Sequence, residues 1–193
     1  IRYNSLLQIM EYLKGGVFQS QDCDFSRLAE GIASCVTDLR SALVKRGSLL
    51  ISASSLILGK DYLSSLDIIT PALFKQLSHG TSVISNSVRY ALLSIVKNVQ
   101  SRRTARLILS KATSKSSIHK QVIAESIKIM REEWPSQIID GMENELNTTL
   151  KTLSEDASGE VRQIAKQALS IQRTPTKIIS RSPRTATPTE KKA

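Results

Sequence analysis

Four copies of a short turn-and-helix signature recur along this 193-residue chain, and recurrence at a long period restricts the fold more than any composition value. The copies are Thr37-Asp38-Leu39-Arg40, Thr81-Ser82-Val83-Ile84, Ser116-Ser117-Ile118-His119 and Gly159-Glu160-Val161-Arg162. Anchored on Leu39, Val83, Ile118 and Val161, they lie 44, 35 and 43 residues apart. These values bracket the roughly 40-residue period of stacked helix pairs. The chain therefore reads as an all-α solenoid.

Apolar spacing supplies the helices. Ile84, Val88, Ala91, Ile95 and Val99 step by three or four residues, as do Ile123, Ile127, Met130 and Trp134, and each set marks one helical face. Helices are predicted near 2–14, 23–36, 40–58, 63–77, 83–99, 101–112, 117–133, 135–154 and 158–171, with no segment alternating as a strand would. Short connections make successive helices antiparallel, so stacked pairs form two layers with a row of turns along each edge. The four signatures are expected on one edge.

Length permits a buried core without metals or disulfides. Cys23 and Cys35 lack metal-ligand spacing and read as reduced core residues. No run approaches the roughly 20 consecutive apolar residues of a membrane span, and the start lacks signal-peptide character, so a cytosolic location is expected. The opening at Ile1 rather than Met reads as a piece of something larger.

Charge divides the chain into two parts. Residues 1–172 are expected to form the folded domain. The segment 173–193, rich in Thr, Ser, Pro, Lys and Arg, holds six bases and one acid and is expected to be disordered. It contributes half of the net charge of +10. Such an excess implies an acidic partner, or for the tail merely a solvated linker. Nucleic acid is disfavoured, because the eight aromatics fall mostly on apolar faces and no phosphate loop or reading motif is present.

Catalysis and cofactors find no support. His79 and His119 lie on different repeats without triad or metal spacing, and Glu132 and Glu133 precede Trp134-Pro135 as solvated residues. Trp134 continues an apolar stripe and reads as core. The chain is expected to be a non-enzyme.

Taken in order, 37-TDLRSALVKR-46, 73-LFKQL-77, 113-TSKS-116, 132-EEW-134 and 156-DASGEVR-162 resemble the TOG domains of the CLASP microtubule regulators, in register over residues 2–171. The Asp-Leu-Arg-Ser opening is the most specific piece. The resemblance implies a HEAT-repeat α-solenoid, a flat paddle whose intra-repeat turns bind tubulin along one thin edge. Carried over by position, the tubulin-binding residues are Asp38, Arg40 and Ser41, then Thr81 and Ser82, then Ser114, Lys115 and Ser116, then Gly159, Glu160 and Arg162. Asp38 could equally cap its helix, and Arg40 and Arg162 could equally pair with an Asp of a neighbouring repeat.

Two departures accompany the match. The Trp of the family's first turn falls three residues before Arg2, off the start of the chain, and the sixth repeat is missing or reduced where Thr174-Pro175 begins. The end-binding-protein motif is not intact, since Thr176-Lys177-Ile178 is followed by Ile179 where Pro is expected. Thr174, Ser182 and Thr187, each before Pro, are candidate phosphorylation sites. The implied setting is the cytoplasmic microtubule cytoskeleton, with spindle and kinetochore as candidate locations. The alternatives are a HEAT scaffold that does not bind tubulin and a basic, nucleic-acid-associated helical protein.

Overall fold

The computed structural model describes residues 2–19 and 24–171. Cys23 and the tail from Arg173, with Thr174, Ser182 and Thr187, lie outside the described residues. The α-helices are α1 (Arg2–Lys14), α2 (Ala29–Val36), α3 (Ser41–Leu58), α4 (Leu66–Leu77), α5 (Ser82–Asn98), α6 (Arg102–Leu109), α7 (Ser117–Glu133), α8 (Ser136–Ile139), α9 (Glu143–Ser154) and α10 (Gly159–Ser170). Three 3-10 segments, at 17–19, 25–28 and 59–65, fill connections, and no strand occurs among the described residues.

The helices stack in two layers. Helices α1, α3, α5, α7 and α10 pack side by side, α2, α4 and α6 form the second layer, and α9 packs across α7 and α10. Cross-repeat contacts set the direction. Arg46 reaches Tyr3, Asn98 reaches Ser55, Lys97 reaches Glu133 and Lys128 reaches Gln167, so positions advance together along neighbouring helices. All five first-layer helices are thus parallel, and their N-termini share one edge.

Burial follows the predicted stripes. Ile84, Val88, Ala91 and Ile95 of α5 and Ile123, Ile127 and Met130 of α7 join one continuous core. Trp134 is core as expected, and its Nε1–H donates to the Val96 carbonyl at 2.8 Å, so the polar atom of the ring is satisfied inside the stack. Cys35 is buried and free, and burial pushes its thiol pKa up. By length and composition alone Ser41–Leu77 could cross a membrane, but 56% of its most apolar window is buried in protein. Its hydropathy belongs mainly to the centre of the solenoid.

Three expectations need correction. The predicted 135–154 helix divides into α8 and α9 at Asp140-Gly141-Met142, where the Met142 N–H turns back to the Ile139 carbonyl at 2.7 Å and buries the Met side chain. The predicted 23–36 helix begins as a 3-10 turn at Phe25, with the Asp24 carboxylate accepting from the Ser26 N–H at 2.9 Å. The repeat register also shifts. The N-caps of α3, α5, α7 and α10 are Arg40, Thr81, Ser116 and Ser158, which are 41, 35 and 42 residues apart. Leu39 precedes its cap whereas Val161 follows its own by three, so the apolar anchors are not equivalent positions.

Candidate functional site

The four signature turns, 37–40, 78–81, 110–116 and 155–158, all lead into first-layer helices and so form one row. A single device shapes them. In each, the side chain two residues before the N-cap accepts the backbone N–H of the cap: Asp38 from Arg40 at 2.9 Å, His79 from Thr81 at 3.2 Å, Ser114 from Ser116 at 3.2 Å, and Asp156 from Ser158 at 2.9 Å. These are Asx-type turns and their hydroxyl and imidazole equivalents. Each cap residue is extended, with φ between −93° and −75° and ψ between 110° and 124°. Three unlike residue types produce one backbone shape.

Asp38 therefore does not cap the helix itself. Its carboxylate also takes Arg40 Nε at 2.9 Å and Nη2 at 3.0 Å, a bidentate pair, with Arg2 Nη1 3.6 Å away. The Arg40 hydrogen bonds hold the Asp38 carboxyl well below the usual carboxylate range, and the same pair raises the Arg40 pKa. The two ends differ in exposure. The Asp38 side chain is 14% exposed and that of Arg40 is 70% exposed, so a tethered acid aims a cation at solvent.

The fourth turn is built differently. Lys120 Nζ bonds Asp156 across the repeats at 2.5 Å and, with the Ser158 N–H, lowers the Asp156 pKa. Arg162 turns inward on its own loop, donating from Nη1 to the carbonyls of Asp156 at 2.7 Å and Ala157 at 2.8 Å. Neither Arg40 nor Arg162 pairs with an Asp of a neighbouring repeat; Lys120 does.

His119 joins the middle turns. Its Nε2 lies 3.1 Å from Ser78 Oγ and its Nδ1 lies 3.0 Å from Ser114 Oγ, with its ring edge-on to Phe74. Burial lowers its pKa, the Phe74 backbone partly opposing. No group of three or more metal-ligating side chains occurs among the described residues.

The predicted residues thus share one edge in different roles. Arg40, Ser41, Thr81, Ser82, Lys115, Gly159 and Glu160 are exposed, while Asp38, Ser114, Ser116 and Arg162 are partly buried and shape turns. Unmarked in the sequence as site residues were Arg2, beside Asp38, and the apolar tips Leu39, Val83 and Ile118, which are 90%, 52% and 38% exposed. Recurrence alone did not mark them, because only Val83 and Ile118 hold equivalent positions two residues after their N-caps, whereas Leu39 precedes its cap and Val161, the fourth member, is buried.

The family model for the CLASP N-terminal region matches residues 1–171. The chain belongs to the CLASP N-terminal family. Among the curated relatives, it is 22% identical over 143 residues to Protein CLASP-1 of Caenorhabditis briggsae, covering 74% of this chain and 11% of that protein. It is 24% identical over 130 residues to CLIP-associating protein 1-B of Xenopus laevis, covering 67% and 9% respectively. Protein CLASP-2 of Caenorhabditis briggsae is 24% identical over 142 residues, covering 74% of this chain and 18% of that protein. The chain spans about a tenth of the length of the first two. Within this CLASP-family domain the edge just described unites the predicted residues.

Proposed function

We propose that this domain binds tubulin through the row of signature turns and acts, without chemistry of its own, in a CLASP-like regulator of microtubule dynamics or attachment in the cytoplasmic cytoskeleton. One observation carries the proposal. Four turns of one backbone shape stand in line and present exposed Arg40 and Lys115 beside the apolar tips Leu39, Val83 and Ile118. Cations can meet the acidic surface of tubulin through charge-assisted hydrogen bonds, and the positive ends of the parallel helices add to the attraction. Small residues at Ser41, Ser82, Ser116 and Gly159 allow close approach. Arg162 supports the edge by shaping its turn, and Arg40 is the better candidate for direct contact.

The test pairs microtubule co-sedimentation with gel filtration against free tubulin at two salt concentrations. Arg40→Glu with Lys115→Glu is expected to abolish binding while leaving helical CD intact and lowering the melting temperature only slightly, through the lost Arg40–Asp38 pair. Binding retained by that well-folded variant would refute the edge. The segment 173–193 is proposed as an accessory, its +5 charge adding non-specific attraction that phosphates at Thr174, Ser182 and Thr187 would offset at about −1.5 to −2 each. Truncation after Gln172 and substitution of these three by Glu should each weaken low-salt co-sedimentation. Equal binding by all forms would remove the tail from the proposal.

A further inference from the structure

The outward face of the first layer near the edge is basic and apolar together. Three shallow depressions of about 400, 250 and 290 Å³ follow one another across α1, α3 and α5. The first two share Tyr3 and Ala42, and the second and third share Lys45 and Leu49, so they form one continuous groove. Its floor exposes Tyr3, Leu49 and Tyr90, the last two 48% and 63% open to solvent. Core packing leaves these side chains uncovered.

The charge around the groove has one sign. Helices α3 and α5 contain no Asp or Glu. Lys45 is exposed, and none of the ion pairs among the described residues involves it. Arg46 is already positioned, its Nη2 donating to Tyr3 Oη at 2.7 Å and its guanidinium lying 5.1 Å from the Tyr3 ring centroid. The nearby acids are committed elsewhere: Asp38 to Arg40, Glu11 to Lys14, and Glu125 to Arg89.

We propose that this groove is a docking site for an acidic peptide segment of a partner protein that carries one bulky apolar side chain. The carboxylates meet Lys45 and Arg46 on the rim, and the apolar side chain rests on Leu49 and Tyr90. Charge complementarity selects acidic over neutral chains, and the recessed apolar floor selects those with an anchor. A valley between parallel helices admits a single chain more readily than a lipid bilayer, although an anionic membrane shares the same charge preference. The groove adjoins the turn edge, because Arg2 and Arg40 line its first depression, but the anchor positions Leu49 and Tyr90 lie beyond that edge and the test does not use tubulin.

The probes are two fluorescein-labelled peptides of glutamates, one with a central Leu and one with Gln in its place, titrated into the full chain by fluorescence polarisation. The Leu peptide should bind roughly tenfold more tightly, the scale of one buried aliphatic anchor. Leu49→Ser with Tyr90→Ser should erase that preference. Lys45→Glu with Arg46→Glu should weaken both peptides and flatten their salt dependence. Leu49 and Tyr90 are exposed, so their substitution should leave CD and melting temperature unchanged, whereas the Arg46 change also loses the Tyr3 contact and should lower the melting temperature slightly without loss of helical CD. If a variant unfolds, the unaltered chain still decides, because equal binding of the two peptides overturns the site. Binding to vesicles of mixed neutral and anionic phospholipid without binding to either peptide also overturns it and assigns the face to a membrane.

Discussion

Arg40 and Arg162 show how similarly placed residues separate once their partners are known. Arg40 is anchored to Asp38 yet exposed, whereas Arg162 donates to two carbonyls of its own turn. Arg40→Ala should cost less than about 1 kcal/mol, the range of an ion pair with an exposed partner, because Asp38 keeps the backbone N–H of residue 40. Arg162→Ala should cost about 1–2 kcal/mol, since it leaves carbonyl groups short of a charged donor. Urea denaturation of both variants checks this, and equal effects would contradict the division into contact and turn-shaping roles. The acids give a pH prediction. Asp38 and Asp156 are more acidic folded than unfolded, so their stabilisation is complete above the unfolded pKa of about 3.9 and decays as pH falls through the lower folded values. Asp38→Asn with Asp156→Asn should lower stability at pH 7, and the difference from the unaltered chain should shrink only below about pH 4. A gap that closes at pH 5 to 6 would point to other groups.

Between elements, the contact of α2 with α3 depends on a glycine. A Cβ on Gly47 would come within 2.8 Å of Val36 Cγ1, a buried and branched side chain with little room to yield. Alanine would gain about 1 kcal/mol of helix propensity, but overpacking costs about 1–3 kcal/mol. Gly47→Ala should therefore be net destabilising, and adding Val36→Ala should cost less than the sum of the two single changes. The α5–α7 contact is tied differently. Trp134→Phe keeps most of the packing but leaves the Val96 carbonyl without its donor, for an expected loss of about 1–2 kcal/mol in a thermal or urea melt. The helices themselves were legible in the sequence, because the i, i+3, i+4 apolar rows of α5 and α7 are the rows that became buried. The break at 140–142 was not. A polar-rich stretch with Leu146, Leu150 and Leu153 in helical spacing carries the periodicity of one long helix, and it is the docking of Met142 that interrupts it.

Across the whole molecule, stability should grade along the stack. Among the described residues, α1 and α10 each have one neighbour in the first layer, while α3 and α5 are flanked on both sides. In such an array each repeat is held chiefly by its neighbours, so hydrogen exchange should be slowest in α3 and α5 and faster in α1 and α10. Uniform protection would indicate a single cooperative unit instead. The sequence by itself determined that this chain is a helical array, where its main helices lie and that its turns repeat, because those properties depend on local spacing and on residues that favour turns. The tertiary structure alone decided what each turn residue does. The lock on each N-cap is Asp, His or Ser, side chains alike only in placing an acceptor at one distance, so no residue pattern announces it. Likewise, Tyr3, Leu49 and Tyr90 are remote in sequence and become one groove only because parallel helices bring residues some forty positions apart side by side.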